Sequence, residues 1–128
     1  MIILLIAMLF CHIIDDYKLQ GILAQFKQKS WWQEHASDTL YKYDYIIALI
    51  EHAFCWACSI HIPVLVYCLA TNRTIGTAVW VIAFIFNVVI HAHVDHLKAN
   101  AHKINLVQDQ LAHVIQILLT WFVYILAC

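Results

Sequence analysis

The feature that most constrains the fold is an apolar run, residues 75–90, that ends in a cluster of polar side chains. From His91 to Lys98 the sequence reads His-Ala-His-Val-Asp-His-Leu-Lys. Residues four apart on an α-helix share one face, so His91 and Asp95 point in the same direction. Asn87 and Lys98 extend this polar stripe by one turn at each end. Ionisable groups at the end of an apolar helix indicate a functional site inside a membrane protein.

The composition of the 128-residue chain is typical of an all-α integral membrane protein. Hydrophobic residues make up 64% of the chain and charged residues 12%, which is too apolar for a soluble globular domain. Two glycines and one proline are too few for a β-rich chain. The net charge of −1, without a basic run, argues against nucleic acid as a partner. The length predicts a single membrane domain, residues 1–128.

Four apolar segments with short connections predict a four-transmembrane-helix antiparallel bundle. The predicted spans are about 1–16, 45–70, 75–96 and 104–128. The first span is short, because the apolar residues 1–14 reach only roughly 21 Å, against a hydrocarbon core of roughly 30 Å.

An amphipathic interfacial helix is predicted between the first and second spans, over residues 17–35. Apolar residues recur there at helical spacing, with Lys27 on the polar side, and Trp31 and Trp32 follow. Tryptophan favours the headgroup level of a membrane, which supports a helix that lies along the interface. The alternative is a helix that packs on the bundle from the solvent side.

The placement of basic residues predicts the orientation of the chain. The loops after spans one and three lie on one side of the predicted bundle and are rich in lysine, whereas Arg73 is the only basic residue on the other side. The positive-inside rule places the lysine-bearing loops in the cytoplasm and both termini outside. The lysines of these loops are Lys18, Lys27, Lys29, Lys42, Lys98 and Lys103.

The spacing of His91 and Asp95 recurs at two other places that the topology brings to the same membrane level. His12 and Asp16 close span one, and a further pair lies near the start of span four. His52 lies about two turns inside span two from the same side. Four helices therefore direct seven candidate metal ligands to one level beneath the cytoplasmic headgroups. These ligands are His12, Asp16, His52, His91, Asp95, Asp109 and His113.

The chemistry of these side chains favours a divalent cation. Carboxylates and imidazoles within a membrane span need a partner, and one cation can serve several of them. Ligation by nitrogen and oxygen alone favours zinc, with iron or manganese as alternatives. Seven ligands exceed one tetrahedral zinc, so one ion with outer carboxylates and two ions both remain open. The metal-free alternative is a set of interhelical hydrogen bonds that hold the bundle together.

A metal at this level indicates a metal-dependent hydrolase. The ion would lower the pKa of a bound water and polarise a phosphoryl or acyl oxygen. Asp16, Asp95 and Asp109 are the candidate catalytic carboxylates, and any of them that does not bind metal would act as the general base. Lys98 or Lys27 would hold an anionic headgroup, while glutamines next to the motifs, Gln20 and Gln110, would orient ligands. The depth of the site favours membrane lipid or a lipid-linked substrate.

The motifs also carry a resemblance that covers nearly the whole chain. The chain resembles a family of small multi-pass membrane proteins of bacteria and their phages, known only as a domain of unknown function. The pattern is His12-x-x-x-Asp16-Tyr17-x-x-Gln20, Lys27, His52, His91-x-x-x-Asp95-x-x-Lys98 and Asp109-Gln110-x-x-His113. This resemblance implies the bacterial inner membrane and implies no activity. The placement of His and Asp at helix ends is also similar to that in membrane-embedded metal-dependent hydrolases.

Three other functions remain as alternatives. The polar residues could line an ion or proton pathway, which Asn87, Ser59, Gln116 and Thr120 would begin. The chain could instead be an interaction protein, such as a phage membrane factor that binds a host membrane protein, and it could form an oligomer. A thiol oxidoreductase is less favoured, because Cys55-Trp-Ala-Cys58 lies within a predicted span and has no partner pair in an outward loop.

Overall fold

The computed structural model describes residues 1–36 and 38–128, and these residues are helical with no β-strand among them. The all-α prediction is therefore confirmed for the described chain. A π-helical turn, Asp15–Leu19, follows the first helix, and a 3₁₀ turn, Thr39–Tyr41, precedes the fourth. The α-helices are α1 Ile2–Ile14, α2 Leu23–Phe26, α3 Lys29–His35, α4 Asp44–Thr71, α5 Thr77–Ala99 and α6 Leu106–Ala127.

Three helical segments are long and apolar enough to cross a membrane by length and composition. They are Thr39–Thr71, Thr77–Ala99 and Leu106–Ala127. Helix α1 has 13 residues, fewer than the roughly 20 that a membrane crossing needs. Large apolar side chains cover the outside of the bundle, for example Ile3 at 77% and Leu126 at 71% exposure. Such a surface is compatible with a membrane protein.

The ends of the long helices follow from local chemistry. Helix α4 ends at Asn72, whose φ of 50° lies in the left-handed region that asparagine tolerates. Helix α6 begins with a capping box, in which the Asn105 side chain accepts from the Gln108 backbone and the Gln108 side chain accepts from the Asn105 backbone, both at 3.0 Å. Pro63 lies inside α4, which continues past it to Thr71.

The segment over residues 17–35 is three short helical pieces, not the single amphipathic helix that the sequence predicts. Gly21 breaks the helix because its φ of 49° lies in the left-handed region. At the second break, the Asn100 side chain donates to the Lys27 carbonyl at 2.9 Å and accepts from the Lys29 backbone at 2.6 Å. These contacts turn the Lys27 side chain inward, where it is 7% exposed.

Helix α4 is the central element of the bundle, with α1 and α5 packed along it and α6 against α1 and α5. The apolar core lies on the side of α4 towards Thr71 and includes Met8, Ile60 and Val64, none of which is exposed. Trp56 closes this core. Its ring stacks on the His91 ring with centroids 4.2 Å apart, so the polar cluster begins where the apolar core ends.

Candidate metal centre

Six of the seven predicted ligands lie in overlapping buried groups, each with three potential metal-binding atoms within 4.8 Å of one another. The π-helical turn after α1 supplies one residue, α4 another, and α5 and α6 a pair each at i, i+4 spacing. All six are at most 6% exposed. They are Asp16, His52, His91, Asp95, Asp109 and His113.

One group, which we call the first group, consists of Asp16, His52 and His91. The two histidine Nε2 atoms lie 3.2 Å apart, and Asp16 Oδ1 lies 3.3 Å from His52 Nε2 and 3.9 Å from His91 Nε2. A triangle with these sides accepts an ion about 2.0 Å from every corner, the usual zinc–nitrogen and zinc–oxygen distance. Three separate helical elements thus form one ion-sized space.

Two other groups adjoin the first. In one, Asp95 Oδ1 lies 3.3 Å from His113 Nε2 and 3.9 Å from His91 Nε2. In the other, which we call the second group, Asp16, Asp109 and His113 come together, with His113 Nε2 3.6 Å from Asp109 Oδ1. Asp16 belongs to both the first and the second group, so the groups form one continuous cluster.

Two lysines neutralise part of the charge of this cluster. The Lys27 ammonium group donates to Asp95 Oδ2 at 2.5 Å, and the Lys98 ammonium group donates to Asp109 Oδ2. Lys27 is therefore bound within the site, in contrast to the predicted role in headgroup binding. Lys98 has a side chain that is 28% exposed, which places it at the edge of the cluster.

Asp15 adds a fourth buried carboxylate that the sequence did not identify as part of the site. It is 3% exposed, and its Oδ1 accepts a hydrogen bond from Ser59 Oγ at 2.8 Å. With the three aspartates of the groups, it brings the buried carboxylates of the cluster to four, against two ammonium groups. Buried negative charge without a counter-charge is costly, so a cation or a protonated imidazole must balance it.

Several buried polar atoms of the cluster have no hydrogen-bond partner within the described part of the chain. His113 Nε2 and Asp109 Oδ1 are two of them, and metal ligation would satisfy both. The Nδ1 atoms of His52, His91 and His113 also lack a partner. Metal-bound histidines usually donate from the second nitrogen to an acceptor, and none of the described residues accepts from these three Nδ1 atoms.

The structure places His12 beside the three groups but in none of them. Its Nδ1 accepts a hydrogen bond from Trp56 Nε1 at 2.8 Å and lies 3.9 Å from Asp16 Oδ2. The i, i+4 spacing to Asp16 made His12 look equivalent to His91 and His113. The sequence does not reveal that Trp56 on α4 donates a hydrogen bond to the Nδ1 atom of His12.

A glutamine connects two carboxylates of the cluster. Gln110 Nε2 donates to Asp16 Oδ2 at 2.9 Å and to Asp109 Oδ2 at 3.2 Å. It therefore holds the carboxylate of the π-helical turn close to that of α6. Gln20, the other glutamine that the motifs single out, donates from Nε2 to the Asp16 carbonyl oxygen. Both glutamines thus act on the position of Asp16.

Comparison with protein-family models, with curated proteins and with solved structures finds no match to this chain. The geometry and chemistry of the cluster therefore carry the functional inference.

Proposed function

We propose that the chain is a four-span integral membrane protein that binds a divalent cation beneath the cytoplasmic headgroups and hydrolyses a lipid or lipid-linked substrate. The observation that carries this proposal is the first group, in which Asp16, His52 and His91 surround an ion-sized space. The imidazole nitrogens and carboxylate oxygens favour zinc, with iron or manganese as alternatives.

The proposed topology assigns the first crossing to α1 and the π-helical turn, and the others to α4, α5 and α6. Because α1 is short, its crossing requires a thinned or tilted arrangement. The lysine-rich connections then face the cytoplasm, and both termini lie outside. We also propose that the protein lies in the bacterial inner membrane and belongs to the small multi-pass family that its motifs resemble.

The proposed reaction divides the site between the bundle interior and its edge. A bound cation supplies an activated water and polarises the scissile phosphoryl or acyl group. Asp109, with one oxygen held by Lys98 and the other unpaired, is suited to accept a proton if it does not bind the ion. Lys98 lies nearest the surface of the cluster and can also meet an anionic headgroup. Lipid is favoured as the substrate by the depth of the site.

Elemental analysis of the protein, purified in detergent without added chelator, tests the metal. We expect at least one zinc, iron or manganese ion per chain, and loss of most of it in His52→Asn. The matched control is Glu51→Gln, because Glu51 is the exposed neighbour of His52 on α4 and should leave the metal content unchanged. Wild-type protein without metal, even after incubation with zinc, would overturn the proposal.

An ion or proton pathway is the second candidate, and one observation favours it. Beyond Asp109 and His113, α6 continues with buried Gln116, Thr120 and Tyr124 on the same face, about three turns into the bundle. Reconstitution into vesicles with a pH-sensitive dye tests this function. Proton entry that Thr120→Val abolishes would support the pathway over the hydrolase, and vesicles as tight as empty ones would exclude it.

A further inference from the structure

We infer that the cluster holds two divalent ions bridged by the Asp16 carboxylate, and that the second ion binds together with a phosphate group. This inference rests on the proposed function and deepens it, since it fixes the number of ions and names phosphate esters as the substrate class. The first ion occupies the first group, and the second ion occupies the second group, Asp16, Asp109 and His113.

The way in which the groups overlap determines which two can be filled together. Each pair of groups shares one residue, which is His91, His113 or Asp16. The Nε2 atom of a neutral imidazole has a single lone pair and can bind only one ion, whereas a carboxylate has two oxygens and can bridge two ions. The first and second groups share Asp16, so they form the pair that can hold two ions at once.

The two oxygens of Asp16 already face in different directions. Oδ1 lies near the histidines of α4 and α5, at 3.3 Å from His52 Nε2. Oδ2 accepts a hydrogen bond from Gln110 on α6, and the same Gln110 Nε2 donates to Asp109. Each oxygen is therefore turned towards one of the two groups, as a bridging carboxylate requires.

The two groups differ in width, which sets the order of binding. In the first group the three distances lie between 3.2 and 3.9 Å. In the second group His113 Nε2 lies 3.6 Å from Asp109 Oδ1 but has no Asp16 oxygen within 4.0 Å, and the ammonium group of Lys98 already holds the other Asp109 oxygen. The first group is thus prepared for an ion, whereas the second must contract around one.

The charge of the cluster explains why the second ion needs an anion. With the histidines neutral, as metal ligands must be, four buried carboxylates and two ammonium groups leave two negative charges, which one divalent ion neutralises. A second divalent ion alone would leave two positive charges in an apolar bundle, which is costly. A phosphate dianion restores neutrality, and two ions roughly 3.5–4 Å apart are the usual clamp for the oxygens of a phosphoryl group.

Manganese binding with and without phosphate tests this inference in the purified full chain. Metal-free protein is incubated with excess Mn²⁺, alone, with inorganic phosphate, or with phosphatidic acid in mixed micelles, and unbound ions are removed by rapid gel filtration. We expect one Mn²⁺ per chain without phosphate and two with it, the second accompanied by an exchange-coupled multiline electron paramagnetic resonance signal. Two ions with phosphatidic acid but one with inorganic phosphate would assign the site to lipid headgroups, and the reverse to free phosphate.

Asp109→Asn should keep one ion under every condition, because Asp109 belongs to the second group alone, while Glu51→Gln should behave as wild type. Should Asp109→Asn fail to fold, the wild-type titration decides by itself. One ion in wild type with both phosphate sources overturns the inference, and so do two ions without phosphate. Failure of the proposed function looks different, since no ion would then bind under any condition.

Discussion

Two polar regions are buried in this bundle, and they are built differently. In the middle of α5 and α6, the Asn87 amide donates to Thr120 Oγ1 at 2.9 Å, and Gln116 Nε2 donates to Asn87 Oδ1 at 2.9 Å. Most polar atoms of this amide network pair with one another; Gln116 Oε1 is left without a partner. The His/Asp cluster, one turn further along, instead holds several unpaired atoms and excess negative charge. Polar groups that only hold helices together satisfy each other, so the difference indicates that the cluster is completed by something else.

The largest expected effect comes from Asp95→Asn, which keeps the size of the side chain and removes one negative charge. Asp95 is a ligand of neither proposed ion, but its Oδ2 lies 3.5 Å from His52 Nε2 and pairs with Lys27, so the substitution leaves an uncompensated positive charge beside the first group. If the cluster binds metal, occupancy should therefore fall sharply. A chelator should destabilise wild type by about 3 kcal/mol, the linkage expected at a hundredfold excess of ion over its dissociation constant. The chelator should barely change the melting temperature of Asp95→Asn. If the cluster is a metal-free network, the substitution should destabilise the protein by about 3–5 kcal/mol equally with and without chelator, because it leaves the buried Lys27 ammonium group without its carboxylate. Equal wild-type melting curves with and without chelator, at confirmed zero metal content, would exclude the metal.

Lys27→Met tests the same cluster by removing a positive charge instead of a negative one. The Lys27 ammonium group places a positive charge on Asp95 Oδ2, which lies 3.5 Å from His52 Nε2 of the first group. Its removal should therefore raise metal affinity, by about tenfold, or 1.4 kcal/mol. Metal-free protein should become less stable, because the Asp95 carboxylate loses its counter-charge. Isothermal titration with Zn²⁺ and melting in chelator measure the two effects. Lower affinity in Lys27→Met would mean that the lysine orients Asp95 for the ion and does not compete with it.

Thr120→Val probes the amide network and should leave the cluster intact. The substitution removes a hydroxyl that bonds Asn87 and leaves one N–H of the buried Asn87 amide unpaired, at a cost of about 1–3 kcal/mol. Metal content should match wild type, and the cost should be the same with and without chelator, since distant sites add independently. Loss of metal in Thr120→Val would show that the amide network and the His/Asp cluster are energetically coupled.

The sequence predicted much of this arrangement because helical spacing determines faces. Pairs four apart, such as His91 with Asp95, had to share a side, and apolar helices had to turn such sides inward. The sequence could not predict features that depend on interruptions of a helix or on contacts between distant segments. Gly21 and Asn100 break the predicted interfacial helix and turn Lys27 into the site, and no periodic pattern encodes that. Asp15 was not identified as a site residue because its partner, Ser59, lies on another helix.

His12 provides the smallest expected effect and tests the difference between a ligand and a supporting residue. Its Nδ1 accepts a hydrogen bond from Trp56 Nε1, although its spacing from Asp16 is that of a ligand pair. His12→Asn should therefore keep the metal content of wild type and cost about 1 kcal/mol, the usual worth of one hydrogen bond. Trp56→Phe removes the same bond and also part of the stacked contact with His91, so it should cost more. The cost of the double variant should be about 1 kcal/mol less than the sum of the two single costs, because the shared bond is lost only once. Loss of metal in His12→Asn with retention in Trp56→Phe would instead make His12 a ligand and extend the centre onto α1.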